Sequence, residues 1–392
     1  MRFLPRGWLA SCVFAILMPL FMASGARAAD WCTDAAQVRQ RLEQADNYFS
    51  EEIEAIVSCK ELAVPILIAA LNDRDSYIRW KAATALQFIG KEVKTVVPLL
   101  IAALNNEDLL VRGTAANVLG SIGEEVKAVV PALITTLNDE DVFVRWQAAQ
   151  ALGAIGGEAK AVPALIATLN DDEEAFIRSS AARALGSIGE EAKAAVPALI
   201  AALNDEASIV RGNVTLALGE IGEEAKAAVP ALIAALNDRT LFVRWQAANA
   251  LGAIGGEAKA AVPALIAALD YEDSGSRLTA ARALGAIGEE AKAAVPALIA
   301  ALNYPSFLAR SMLLTGRTGL AAHNKRLRWT VADALVKIAA ALYKAAENED
   351  QLLEAETITL AIQQTLQGTE FGESSQQVDR TLRAIQADLA KY

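Results

Sequence analysis

The chain has 392 residues, of which 54% are apolar and 6% aromatic, and its formal net charge is −11. This apolar content excludes a disordered protein, and the acidic balance argues against partners such as nucleic acid or anionic lipid. Alanine, leucine and isoleucine are abundant while large rings are few, which favours close helix–helix packing.

The N-terminal stretch has the three parts of a secretory signal peptide. Arg2 and Arg6 precede an apolar run at Leu9–Ala23, and small residues occupy the −3 and −1 positions before a cut after Ala28. The run is too short for an ordinary membrane span. We therefore predict that residues 1–28 are removed, that the protein is exported to the periplasm or secreted, and that no membrane span remains. The alternative is an uncleaved anchor.

Two cysteines, Cys32 and Cys59, remain in the mature chain. In an oxidising compartment, two cysteines near one end of a chain favour a disulfide bond, although two unpaired thiols are the alternative. A bond here would attach a polar N-terminal helical cap, predicted at 29–58, to the first repeat of the chain.

A repeat of 33 residues dominates the rest of the chain. Its arginine recurs at this spacing at Arg79, Arg112, Arg145, Arg178, Arg211, Arg244, Arg277 and Arg310. Each repeat predicts two helices. Helix A, "AVPALIAALN", is apolar on nearly every side, which predicts deep burial, and has proline in its first turn. Helix B runs from just before the arginine to "ALGAI", where a glycine follows as a C-cap.

The segments "VRWQAAQALGAIG" and "AVPALIAALND" resemble the HEAT-like repeat of phycobilisome-lyase-type proteins over about Leu62–Ala340. A helix pair of this length must stack to bury its apolar face. We therefore expect an all-α fold: a right-handed α-solenoid (superhelix) of about eight 33-residue helix pairs with a helical cap at each end. The solenoid is predicted at 59–343, with an insertion at about 304–327, and the C-terminal cap at 344–392.

The residues needed for catalysis are absent from the sequence. The single histidine, His323, excludes a site built from several histidines and makes a Ser-His-Asp or Cys-His site hard to assemble. The His-Glu pairs of the hydroxylase relatives are absent, and the lyase relatives act on cytoplasmic pigment proteins, which conflicts with an export signal. We predict no enzyme activity, no catalytic residue, no metal and no cofactor.

An aspartate six residues before the arginine recurs in most repeats. Periodic polar pairs in a one-dimensional stack usually serve the interface between neighbours. We therefore interpret the arginines from Arg79 to Arg277 as a structural ladder, with an anion-binding stripe as the alternative. The paired glutamates after each closing glycine are interpreted as helix-dipole partners that also aid solubility.

Helix B supplies the predicted binding surface. Counted from the arginine as zero, positions +1, +2, +5 and +9 lie opposite the buried residues, on the face that lines the concave side of related solenoids. Tryptophan and arginine there match the composition of interface hot spots. The alternative is that each tryptophan only covers the stack. The predicted contact residues are Trp80, Trp146, Gln147, Gln150, Arg183, Trp245, Gln246, Asn249, Arg282 and Trp329.

The predicted insertion is basic in an otherwise acidic chain, because no acidic residue occurs between Ala291 and Ala332. One interpretation is a loop packed on the end of the solenoid, and the other is a docking element for an acidic partner or a phosphate group. The residues concerned are Arg310, Arg317, His323, Lys325, Arg326 and Arg328.

The sequence thus predicts an exported, non-enzymatic scaffold that binds protein or extended peptide on its helix-B face. One alternative is a lyase-like or enzyme-assisting protein. The other is a structural envelope component without a specific ligand.

Overall fold

The computed structural model describes residues 31–45, 50–71, 73–92, 97–122, 128–157, 159–303, 320–366 and 372–391. The predicted signal peptide, residues 1–28, lies outside them. Throughout the described residues the secondary structure is helical and contains no strand. The chain divides into two compact units, Met1–Ala151 and Leu152–Tyr392.

The first compact unit begins with two cap helices and continues with helix pairs of the repeat. The helices are α1 (Ala35–Gln44), α2 (Glu51–Ser58), α3 (Val64–Ala70), α4 (Ser76–Glu92), α5 (Val97–Ala103), α6 (Leu109–Ile122), α7 (Val130–Thr136) and α8 (Val142–Ile155). The boundary between the two compact units falls within α8.

The second compact unit continues the alternation of a short helix A and a longer helix B, and it ends with three long helices. Its helices are α9 (Val162–Asp171), α10 (Ala175–Ile188), α11 (Val196–Ala202), α12 (Ser208–Ile221), α13 (Val229–Ala235), α14 (Leu241–Ile254), α15 (Val262–Ala268), α16 (Ser274–Ile287), α17 (Val295–Asn303), α18 (Leu320–Ala345), α19 (Glu349–Leu366) and α20 (Gly372–Leu389). From α3 to α18 the chain forms repeated helix pairs, as the sequence predicts.

Local chemistry fixes where each helix of a repeat begins and ends. In the α11–α12 repeat, proline follows the first residue of helix A, where its missing N–H does no harm. The Asp205 carboxylate accepts a hydrogen bond of 2.8 Å from the Ala207 N–H, which turns the chain into helix B. Helix B stops at Gly222, whose φ of 71° requires glycine. A 3-10 helix, Gly222–Ala228, then leads to the next helix A.

Helix A is less buried than predicted. In α11, Val196 and Leu199 are buried, whereas Pro197 and Ala201 are exposed. A helix of seven residues packs against its neighbours on one side only, and proline and alanine expose little apolar surface on the other. The prediction of burial on all sides is therefore wrong.

The last helix B is longer than predicted. The sequence places its start near Arg328 after an insertion at 304–327, but α18 begins at Leu320 and continues for 26 residues. It also runs past the predicted solenoid boundary at 343, because the alanine-rich stretch before Ala345 keeps a high helix propensity. Residues 304–319 lie outside the described residues.

The C-terminal cap packs against α18 through a small apolar cluster. Leu352 and Ile385 are buried there and contact Leu342 on α18. The Tyr343 hydroxyl adds a hydrogen bond of 2.7 Å to the Asp388 carboxylate. These contacts explain why two amphipathic helices remain docked at the end of the array.

The N-terminal cap is fastened to the first repeat in three ways. Cys32 and Cys59 form a disulfide bond across 27 residues of sequence. Arg39 forms an ion pair with Asp73, the aspartate of the first repeat. The Lys81 ammonium donates a hydrogen bond of 2.7 Å to the backbone carbonyl of Leu42, near the end of α1.

By length and apolar composition alone, one stretch of the described residues, Leu241–Ala268, qualifies as a candidate membrane span. In the structure it comprises α14, a 3-10 helix and α15. Gly255, with φ at 71°, separates α14 from the 3-10 helix.

Candidate functional site

The predicted ladder arginines link successive repeats through aspartates. Arg211 donates from Nε to Asp238 at 2.8 Å and from Nη2 to the same carboxylate at 3.1 Å. Its Nη1 donates to the backbone carbonyls of Asp205 and Glu206 in its own turn. The bidentate geometry recurs between Arg112 and Asp139 and between Arg178 and Asp205.

The other ladder arginines make contacts of the same kind. Arg79 and Arg145 donate to carbonyls of their own turns, at 2.8 Å and 3.1 Å respectively. Arg244 reaches Asp273 from Nη2 at 3.0 Å, and Arg277 donates to the Glu272 carbonyl at 2.9 Å. The arginines of the bidentate pairs are thus engaged between repeats rather than exposed as an anion-binding stripe.

The ladder also fixes the charge state of its members. Burial alone would raise the pKa of Asp238, but the hydrogen bonds from Arg211 and from the Thr240 backbone hold that pKa below its ordinary value. The same balance lowers the pKa of Asp139 and of Asp205. Each carboxylate is therefore charged at neutral pH and paired with its arginine.

At the opposite end of helix B, a second set of pairs crosses the repeats. Lys193 lies 3.9 Å from Glu224, and Lys226 lies 3.6 Å from Glu257. These side chains are about half exposed, and exposed ion pairs of this kind contribute little to stability. The paired glutamates thus include partners for lysines of the preceding repeat, which the sequence interpretation missed.

The predicted face of helix B divides into exposed and buried positions. The +5 residues Gln150, Arg183, Asn249 and Arg282 are exposed. Position +2 instead points between helices: Gln147 is 7% exposed and accepts a hydrogen bond of 3.0 Å from Asn117.

Gln246, also at +2, is half-buried and accepts a hydrogen bond of 3.1 Å from Asn249. Only part of the predicted surface is therefore available to a partner.

The tryptophans differ in their surroundings. Trp80 is 38% exposed and meets Tyr77 edge to face, with ring centroids 6.3 Å apart. Trp146 is half-buried beside Phe143, with centroids 6.1 Å apart. Trp329 is half-buried on α18.

Trp245 packs against the next repeat. It lies directly over Gly275, so closely that a side chain there would collide with it. Its Nε1–H donates a hydrogen bond of 2.9 Å to the Asp273 carboxylate. Burial alone would raise the pKa of Asp273, but hydrogen bonds from Trp245, Ser276 and Arg244 lower it to about 2.

A row of exposed apolar residues at position −2 was missed by the sequence interpretation. Phe176, Ile209 and Phe242 lie on α10, α12 and α14 and are 44%, 49% and 41% exposed. Position −2 lies seven residues before +5, so both fall on one face of helix B. The signal was present in the sequence, because −2 is apolar in every repeat from Tyr77 to Phe242. We call Phe176, Ile209 and Phe242 the apolar row.

Near the apolar row, aromatic rings on one helix B pack against glycines on a neighbouring helix B. A Cβ placed on Gly212 would lie 2.5 Å from the Phe242 ring, so the ring of one helix B rests on the glycine of the preceding one. Phe143 rests on Gly113 in the same way, one three-repeat block earlier. Trp245 over Gly275 reverses the arrangement, with the ring at +1 and the glycine at −2.

The predicted basic insertion is described only in part. Arg310 and Arg317 lie outside the described residues, and His323 and Lys325 lie on the first turns of α18. Arg326 is exposed and Arg328 half-buried on the same helix. No metal-binding group of three or more histidine, cysteine, aspartate or glutamate side chains occurs in the ranges that the structure describes.

Comparison with known families assigns the repeat. The model described as "HEAT repeats" matches residues 64–129, 97–186, 177–240, 196–261 and 229–315. The chain is a HEAT-repeat protein. No curated protein sequence matches it.

Solved structures show the same fold. This HEAT-repeat protein matches an engineered protein with a TM-score of 0.52 and 24% identity, over 90% of this chain and 95% of that one. It matches Kap95p, whose binding induces the switch loops of RanGDP to adopt the GTP-bound conformation, with a TM-score of 0.60 and 15% identity over 91% of this chain and 52% of that one. Importin β gives a TM-score of 0.58 and 18% identity over 91% and 53%. The chain thus spans about half the length of Kap95p and of importin β.

Proposed function

We propose that this HEAT-repeat protein is an exported, non-enzymatic scaffold that binds protein or extended peptide on its helix-B face. The apolar row carries the proposal. Its three side chains are between 41% and 49% exposed. Contiguous exposed apolar surface is unfavourable in water unless a partner covers it, which makes it a marker of interaction sites.

Two members of the row, Ile209 and Phe242, adjoin each other. Phe242 rests on Gly212, which lies one turn beyond Ile209, so these two members are neighbours. Trp245 follows Phe242 by one turn and extends the apolar surface toward Gly275. The arrangement gives a partner one apolar contact on each successive helix B.

Polar residues flank the row. The exposed side chains at +5 on the same face include Arg183, Asn249 and Arg282. Phenylalanine, tryptophan and arginine are enriched at the centres of protein interfaces, and amides supply hydrogen bonds that specify the partner. This mixture supports recognition of a polypeptide rather than of a small molecule.

The comparisons support the proposal at the level of the fold. Kap95p binds RanGDP and also forms a complex with Nup1, so solenoids of this type bind proteins. The signal-peptide pattern in residues 1–28 supports export. The resemblance of the repeat to that of phycobilisome-lyase-type proteins remains part of the proposal. We do not extend the lyase activity to this chain, because its mature part has only Cys32 and Cys59 to react with a pigment.

Selection from a random 12-residue peptide library on the full mature chain tests the proposal. Selected peptides should bind Phe176→Ser/Ile209→Ser at least tenfold more weakly than the wild type, because the variant removes two apolar contacts of the row. Leu353→Ser is the matched control, since Leu353 is 46% exposed on α19, away from the row, and it should bind as the wild type does. Equal affinity of all three proteins would contradict the proposal.

A further inference from the structure

Acidic side chains lie beside two members of the apolar row, Phe176 and Ile209, whereas exposed Arg239 lies three residues before Phe242. The turns that lead into α10, α12 and α16 carry exposed glutamates within three residues of position −2. The ladder arginines form ion pairs with aspartates of these turns and interact more weakly with Glu206, whose charge helps to raise the pKa of Arg178. Arg239 is the one cation in the described turns before α10, α12, α14 and α16. The glutamates are Glu173, Glu174, Glu206 and Glu272.

Two exposed arginines lie further along helix B, one on α10 and one on α16. Arg183 and Arg282 are exposed at +5, seven residues along helix B from position −2. Seven helical residues rise about 10 Å, so these arginines are well separated from the acidic turns. The row therefore lies between an acidic edge at the start of helix B and scattered arginines two turns further on.

We propose that the occupant of the apolar row is an extended cationic polypeptide segment, a claim that rests on the proposed function and names its class of partner. The segment crosses the helices at the start of each helix B. Its apolar side chains contact Phe176, Ile209 and Phe242, and its lysine or arginine side chains face the acidic turns. Charge complementarity in a chain of net charge −11 favours this class over an acidic segment.

The spacing of the row defines the sequence pattern of the segment. Packed helices lie about 10 Å apart, and a chain in the extended polyproline II conformation advances about 3.1 Å per residue with three residues per turn, so every third side chain lies on one face about 9 Å from the last. One apolar side chain in every three residues therefore matches one helix B in every repeat. The two residues between successive apolar side chains of the segment can then be lysine or arginine.

Three fluorescent peptides test the inference on the full mature chain: four copies each of Leu-Lys-Ser, Leu-Gln-Ser and Leu-Glu-Ser. We expect the lysine peptide to bind at least tenfold more tightly than the glutamine peptide and the glutamate peptide to bind most weakly. The advantage of lysine should shrink as salt is raised, because exposed charges are screened.

Charge reversal on the protein locates the effect. Glu174→Lys/Glu206→Lys should abolish the advantage of the lysine peptide. Glu190→Lys/Glu223→Lys makes the same change in charge at the other end of α10 and α12, where both glutamates are exposed, and should keep most of that advantage.

The failures of the two claims are distinguishable. Equal affinity for the lysine and glutamine peptides, with both lost in Phe176→Ser/Ile209→Ser, would overturn the cationic class and leave the proposed function standing. Absence of binding by all three peptides would overturn the inference. Tight lysine binding that Phe176→Ser/Ile209→Ser leaves unchanged would overturn the role of the row itself.

Discussion

The arginine ladder and the apolar row are copied with the same period, yet the structure treats them differently. Arg211 and Ile209 lie two residues apart at the start of α12. The Arg211 side chain is 7% exposed and holds Asp238 of the next repeat at 2.8 Å, whereas Ile209 is 49% exposed. Periodicity shows that a position was copied. Burial and contacts show whether the neighbouring repeat needs that position. By this measure Arg211 links two repeats, whereas Ile209 is left exposed to solvent.

The largest effect should follow from breaking the ladder. Arg211→Ala should lower the free energy of unfolding by about 3 kcal/mol, because it strands the Asp238 carboxylate and two turn carbonyls in a mostly buried interface. Chemical unfolding followed by circular dichroism measures the loss. Arg211→Lys should recover only part of it, since lysine cannot form the bidentate pair.

The exposed pair at the other end of helix B is the matched control for that prediction. Lys226→Ala should cost less than about 0.5 kcal/mol, as exposed ion pairs usually do. A loss from Lys226→Ala as large as that from Arg211→Ala would contradict the contrast between buried and exposed pairs.

A somewhat smaller loss of stability is expected from disturbing the contact between Phe242 and Gly212. Gly212→Ala should destabilise the protein by about 2 kcal/mol, because its Cβ would lie 2.5 Å from the Phe242 ring. In a Phe242→Ala background the same substitution should be neutral or stabilising, since alanine favours a helix more than glycine does. Additive effects in the double variant would show that the two residues do not interlock.

The ladder should also respond to acid. The pKa of Asp273 is about 2 in the folded protein, whereas an unfolded aspartate titrates near 3.8. Its depressed pKa gives stability that is present above the unfolded value and is lost as pH falls through 4 toward 2. The stability advantage of the wild type over Asp273→Asn should therefore be constant near neutral pH and shrink below pH 4. An advantage that grew in acid would contradict the assignment.

The smallest effect on stability should come from the row. Ile209→Ser should change the free energy of unfolding by less than about 0.5 kcal/mol, because surface substitutions away from special contacts are usually near neutral. A loss comparable to that of Arg211→Ala would mean that Ile209 supports the stack.

Periodicity was enough to predict the helix pairs, the arginine–aspartate links and the glycine C-caps, because each is a local rule copied in most repeats. It misplaced the start of α18, where the repeat is interrupted and local helix propensity takes over. It overstated the burial of Pro197 and Ala201, since apolar composition alone does not say which neighbours are present. The pairing of Trp245 with Gly275 and Asp273 depends on contacts between repeats, which no single repeat encodes.

The apolar residues at position −2 are evident in the sequence, but their exposure was not predicted from it. In α12 the −2 residue, Ile209, directly precedes buried Val210 and ladder Arg211. From the sequence alone its apolar side chain is therefore easily taken for a core residue, and only the structure shows which way that side of the helix faces. The exposure of Phe176, Ile209 and Phe242 depends on how three successive repeats pack, which the sequence of one repeat does not show.

Photo-crosslinking can distinguish binding on helix B from binding on helix A. A benzoylphenylalanine placed at position 209, on helix B, or at position 201, on the exposed side of helix A in the same repeat, reports which face a bound polypeptide touches. The proposed helix-B site predicts crosslinks from position 209 and none from position 201. Crosslinks from position 201 alone would place the binding surface on helix A and contradict it.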